Sequence, residues 1–155
     1  MVVEVVGQAV LRDFPLRLWS ASREHTDELL REFTLVLVGE RSGQTSLQAP
    51  GALVDLAAMF SEQYGQLIDE LHATRERALL EGRDRMDSVV VLVAGTPQLM
   101  ARVRDVLQAA DDYCRSGDLL TLERTEQDRR LFDWTLDELV RQYEGAAPRP
   151  WPGPF

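Results

Sequence analysis

The side chains able to carry chemistry are few and scattered. In 155 residues there are two histidines, His25 and His72, one cysteine, Cys114, and no lysine, all 17 basic residues being arginine. Schiff-base chemistry, the phosphate-loop lysine and the strand lysine of kinases all need a lysine amine, so the usual nucleotide kinases and ATPases are excluded. The histidines and cysteine are also too few for a zinc site built from several such ligands. Asp69-Glu-Leu-His72 echoes the Glu-x-x-His of di-iron helical bundles. With Phe60 at the centre of a buried helical face, however, the 3.6-residue period puts His72 about 120° and Asp69 about 180° away, toward solvent. His25 sits at the edge of an apolar stripe with Glu28 and Glu32 one turn on. We read both histidines as solvated or boundary residues. Their other roles would be as pH-sensitive switches, phosphoacceptors or haem ligands, because imidazole titrates near neutrality.

The remaining motifs are equally sparse. Vicinal acids occur at Asp27-Glu28, Asp69-Glu70, Asp111-Asp112 and Asp137-Glu138. Neighbours on a helix diverge by about 100° and chelate poorly. Arg31, Arg115 and Arg141 stand four residues beyond three of these acids, the spacing of solvated ion pairs. Gly39-Glu-Arg-Ser-Gly43-Gln-Thr45 has the wrong spacing for a phosphate loop, lacks the lysine and follows a helix. No nucleophile elbow is present. Cys114 falls on an apolar stripe, the place of an inert thiol. No catalytic residue, metal or cofactor is expected.

Charge and hydropathy narrow the setting. The net charge of -9 opposes nucleic-acid backbones and anionic membranes. The longest apolar run, Val89 to Ala94, has six residues, far short of a bilayer span. Glu4 stands where a secretory signal would be basic. A single cysteine permits no internal disulfide and fits a reducing compartment. The expected location is cytoplasmic.

The pattern of apolar residues predicts four amphipathic helices. The first starts near Asp13 as cap, with Pro15 in its first turn, and buries Leu18, Trp19, Leu29, Leu30 and Phe33 before Gly39. A polar loop to Gly51 follows. The second helix runs from Gly51 to about residue 84 with Leu53, Leu56, Phe60, Tyr64, Leu67 and Leu71 on one face. Its charged end, Arg75 to Arg85, either projects or is covered by another element or subunit. Ser88 to Gly95 is rich in β-branched residues and reads as an extended crossover. Val2 to Val6 has the same character, so the two can pair, although an isolated two-stranded ribbon is marginal. Thr96-Pro97 opens the third helix, which Gly117 closes. Asp118 to Glu123 connects it to a fourth that starts at Thr125 and ends at Gly145. Prolines at 148, 150, 152 and 154 make the last residues extended. The expected fold is all-α: an antiparallel four-helix bundle over 1–147, an extended N-terminus and crossover, and a proline-rich tail over 148–155.

With no reaction legible, the expected function is a non-enzymatic protein-interaction module. Trp151 and Phe155 are stiffened by proline and make good anchors, either for another chain or for this protein's own bundle. Arg75 and Arg85, on the uncovered end of the second helix, are further candidate partner contacts. The expected partner is a second copy, as a homodimer, or a regulatory protein. A sensor bundle holding a small apolar ligand or haem among Trp19, Phe33, Phe60, Tyr64 and Phe132 is the alternative.

Four segments carry a resemblance: Val5 to Trp19, Glu24 to Phe33, Asp111 to Leu122, and the closing Ala147-Pro-Arg-Pro-Trp-Pro-Gly-Pro-Phe155. Together they resemble a family of small uncharacterised actinobacterial proteins over most of the chain. The resemblance implies a cytoplasmic accessory of partner-switching systems, in which anti-sigma kinases and their antagonists regulate transcription. It carries over no site residue. The Val89 to Val93 run is more apolar than the family's crossover.

Overall fold

The computed structural model describes residues 3–39, 48–116 and 120–155. The order of elements is β1 (Val5–Pro15), α1 (Leu16–Gly39), α2 (Gln48–Leu80), β2 (Arg85–Val93), α3 (Thr96–Ser116) and α4 (Glu126–Tyr143). The chain is therefore mixed α/β, and the all-α expectation is corrected. The two valine-rich segments form an antiparallel sheet, with Gln8 opposite Val91, Val10 opposite Val89 and Leu11 opposite Ser88. Most of the loop expected over 39–51, including residues 40–45 of the glycine-containing motif, lies outside the described residues. So do Val2, Gly117 and the start of the connection at 118–123.

The ribbon is stable because it is not isolated. Ala9, Leu11, Phe14 and Leu92 pack from one face of the sheet into a core with Leu16, Trp19, Leu131, Leu139 and Trp151. The outer edge of β1 is covered at Val10 and Arg12 as well. The Gln142 amide exchanges two hydrogen bonds with the Val10 backbone, at 2.8 and 2.9 Å. The Trp151 N–H donates to the Arg12 carbonyl at 2.9 Å, which makes Arg12 and Pro150 a parallel bridge. Tail and helix together stand in for a third strand.

Asp13 does not cap a helix. It lies in a bulge, where the register slips between Leu11 and Phe14, and its φ is +53°. Aspartate tolerates this left-handed conformation better than most residues, and the extra residue bends β1 into α1. The Asp13 N–H donates to an Asp87 carboxylate oxygen, and the first helical N–H, of Leu16, finds the Asp84 carbonyl. A turn at Gly82, with φ +80°, ends α2 and sends the chain into β2.

The four helices touch in a ring, α1 to α2, α2 to α3, α3 to α4 and α4 to α1. Beyond the sheet they enclose a second core of Leu29, Phe33, Leu53, Leu107, Ala110 and Cys114. Thr125 caps α4 through a reciprocal pair of hydrogen bonds with Asp128, which also accepts from the Ser22 hydroxyl. The Arg124 guanidinium grips Asp111 through Nε and Nη2, both groups being buried.

Candidate functional site

The hydrogen bonds of β1 fix the direction of every backbone group in the sheet. Val10 gives both its N–H and C=O to Gln142, away from β2. Its antiparallel partner is Val89, so the backbone groups of Val89 must point away from β1 in turn. Alternation places those of Val91 and Val93 on the same outer edge of β2. Val93 satisfies its groups with the Thr96 hydroxyl, which accepts from its N–H and donates to its C=O. Val89 and Val91 have no backbone hydrogen-bond partner on that edge among the described residues.

This open edge forms one wall of a groove of about 390 Å³. The facing wall is α2, presenting Phe60, Tyr64, Leu67, Ile68 and Leu71, and Leu99, Met100 and Leu139 contribute further apolar surface. The two rings on α2, Phe60 and Tyr64, lie 5.7 Å apart. Among the described residues Glu70 and Asp87 are the charged ones lining the groove, with no cation beside them. The outward face of the sheet beside it carries exposed valines, with Val6 50% and Val89 49% exposed. The arrangement offers backbone donors and acceptors in a row, apolar contacts opposite them and negative charge at the rim. Such a surface has the elements of an extended-peptide site. Among the described residues no three histidine, cysteine, aspartate or glutamate side chains gather to hold a metal.

The residues singled out from sequence fall into three places. Arg75 and His72 line a second cavity with Trp19. Arg75 is only 6% exposed, inside the fold and not on a projecting helix end. Its guanidinium lies 4.0 Å from the Phe14 ring centre and 5.3 Å from that of Trp19, and its Nε donates to Ser88 Oγ at 3.0 Å. Burial pushes its pKa down to about 9. His72 is half-buried, its ring 5.6 Å from Trp19, so the outward direction read from the helical period is corrected. Burial first, then the charges of Arg23 and Arg75, lowers its pKa.

Arg85 and Phe155 meet at the surface, the guanidinium 4.7 Å from the ring centre. Trp151 is buried edge-on against Trp134 at 5.3 Å, with its indole N–H on the Pro154 carbonyl. The tail therefore docks on its own chain. His25 stands apart from the other candidates, with its Nε2 buried and without a partner among the described residues. Burial beside Asp111 pushes the Cys114 thiol up to about 11.

The open β2 edge itself was not found from sequence. Its signal was the Val89 to Val93 run, legible as extended but not as an edge, because the edge depends on which strand Gln142 closes. Comparisons of the chain with protein-family models, curated proteins and solved structures returned no match. No helix among the described residues is long and apolar enough to cross a membrane.

Proposed function

We propose that the protein is a non-enzymatic interaction module that takes an extended segment of a partner protein into the α2–β2 groove. The observation that carries this reading is the unpaired edge at Val89 and Val91 beside an apolar helix face. An added strand would supply the missing hydrogen bonds, and its alternate side chains would enter the apolar groove. Glu70 and Asp87 favour a segment with basic residues near its ends. A second copy is disfavoured as the occupant, because each copy brings both carboxylates to the same edge. The homodimer expectation finds no support there. A cytoplasmic regulatory protein of a partner-switching system is the class of partner that the resemblance supplies.

The Phe60 and Tyr64 rings favour the sensor reading to this extent: the groove volume suits a small apolar ligand. The backbone edge favours a peptide. The Val91 N–H points away from β1, so V91P removes a groove donor without breaking the sheet ladder, proline being tolerated on such edges. Ten-residue peptides selected from a random display library should alternate in hydrophobicity. They should bind the wild-type chain and lose about tenfold or more in affinity to V91P, the scale of one or two lost hydrogen bonds to a desolvated edge. Equal binding to both chains would refute the reading, as would selected peptides that leave the amide resonances of β2 and α2 unmoved.

A further inference from the structure

We propose that the cavity between α1, α2 and α4 is a binding site for a small organic carboxylate with an apolar body, held by Arg75. Among the described residues five charged ones are buried: Arg75, Asp111, Arg124, Asp128 and Glu138. Asp111 and Arg124 pair with each other, and Glu138 pairs with Arg141 and Arg149. Asp128 is satisfied by the Ser22 hydroxyl and the amide of Thr125. Of the two buried cations, Arg124 has its carboxylate and Arg75 has none among the described residues: its Nε donates to Ser88, and its Nη groups meet no acceptor there. A buried guanidinium without an anion is an unfavourable arrangement for a fold to keep. It becomes favourable once an anion arrives.

The cavity that Arg75 lines is shaped for that anion. It holds about 340 Å³, the size range of small-molecule sites. Phe14, Trp19, Leu131 and Phe132 give it apolar walls, and Thr26 and Thr135 add hydroxyls. Arg23 lines it too, with one arm engaged by Glu76, and so does His72. Asp27 is the one carboxylate in the lining, and it is exposed, where water screens it. The planar fork of Arg75 matches a carboxylate in two parallel hydrogen bonds. Aromatic walls and a single unpaired cation suit a monoanion with a flat body better than a phosphate dianion, whose second charge would be desolvated without a partner.

The site shares no lining residue with the α2–β2 groove, so the two can be tested apart. The probes are 2-naphthoate, its neutral analogue 2-naphthylmethanol and inorganic phosphate, titrated calorimetrically and by Trp19-sensitive fluorescence. We expect 2-naphthoate to bind and the other two to bind at least about tenfold more weakly, the value of a charge-assisted bidentate pair. R75M should keep or raise the melting temperature, since it removes an unpaired buried charge, while losing about tenfold or more in affinity. R75K, which retains the charge without the fork, should fall between, and D27N should tighten binding. The proposal is overturned if 2-naphthoate does not bind at millimolar concentration, if the alcohol binds as well, or if R75M and R75K leave the affinity unchanged. V91P should bind 2-naphthoate like the wild-type chain, whatever it does to peptide binding.

Discussion

His72 shows how one side chain reports on the charges around it. Its imidazole is pressed against Trp19, and both burial and the nearby Arg23 and Arg75 resist a proton there, against the weaker pull of Glu76 and Asp69. The folded pKa is therefore below the ordinary value, while the unfolded chain keeps it. As pH falls through about 6.5, the unfolded state takes a proton that the folded state refuses, and stability drops. The carboxylates Glu32 and Glu138 also have lowered pKa values and lose their contribution on acidification, but in a more acidic window. Chemical denaturation at intervals between pH 8 and 5.5 should show a fall in stability near the histidine range that H72F abolishes. A profile that is flat there in the wild-type chain, or unchanged in H72F, would place the imidazole in solvent.

The tail illustrates what an element contributes when its two aromatic residues are unequal. Trp151 is 6% exposed and seals the sheet core, whereas Phe155 is 49% exposed under Arg85. The Gly153 backbone lies so close to the Trp151 ring that a Cβ there would sit 2.5 Å from Cζ2, so the tail turns on a residue without a side chain. W151A should cost about 3–5 kcal/mol, as large aromatic deletions in cores do, and F155A under about 1 kcal/mol, the value of an exposed cation–π contact. Urea denaturation of the two variants measures the contrast directly, and equal effects would mean that the tail does not dock as described. Deleting 148–155 removes Trp151 and also takes Arg149 away from the buried Glu138 carboxylate, so it should cost at least as much as W151A. Much of this scale was legible in the sequence. The four helices, the cap at Thr125, the stop at Gly145, and the extended character of both valine runs and the tail follow from local patterns. The sheet did not, because its stability comes from Gln142 and Trp151, more than 130 residues from β1, and no local pattern encodes such partners. Arg75 was misplaced for a related reason: its charge suggested a solvated helix end, while Phe14, Trp19 and Ser88 converge on it from other elements.

At the scale of the whole molecule, two apolar cores share one fold, one under the sheet and one enclosed by the helices beyond it. Among the buried polar contacts that accompany them are Ser22 with Asp128 and Asp111 with Arg124. The second ties the residue before the α4 cap to the C-terminal part of α3, with the guanidinium also 5.4 Å from the Phe132 ring centre. Its net value differs from the damage done by breaking it. Removing one partner leaves a charge buried and alone, so D111L or R124M singly should cost about 3–5 kcal/mol. Replacing both with apolar residues of similar volume removes the desolvation penalty together with the attraction, so the double variant should recover most of that loss. The Arg124 backbone N–H also donates to Asp111, at 3.1 Å, and this bond is lost in D111L and in the double variant alike. The double variant should therefore remain about 1 kcal/mol below wild type, the worth of one hydrogen bond. A double-mutant cycle by urea denaturation tests this. Additive losses would show that the two side chains act independently, and that the α3–α4 connection is held by the apolar contacts of Leu107, Ala110 and Phe132 alone.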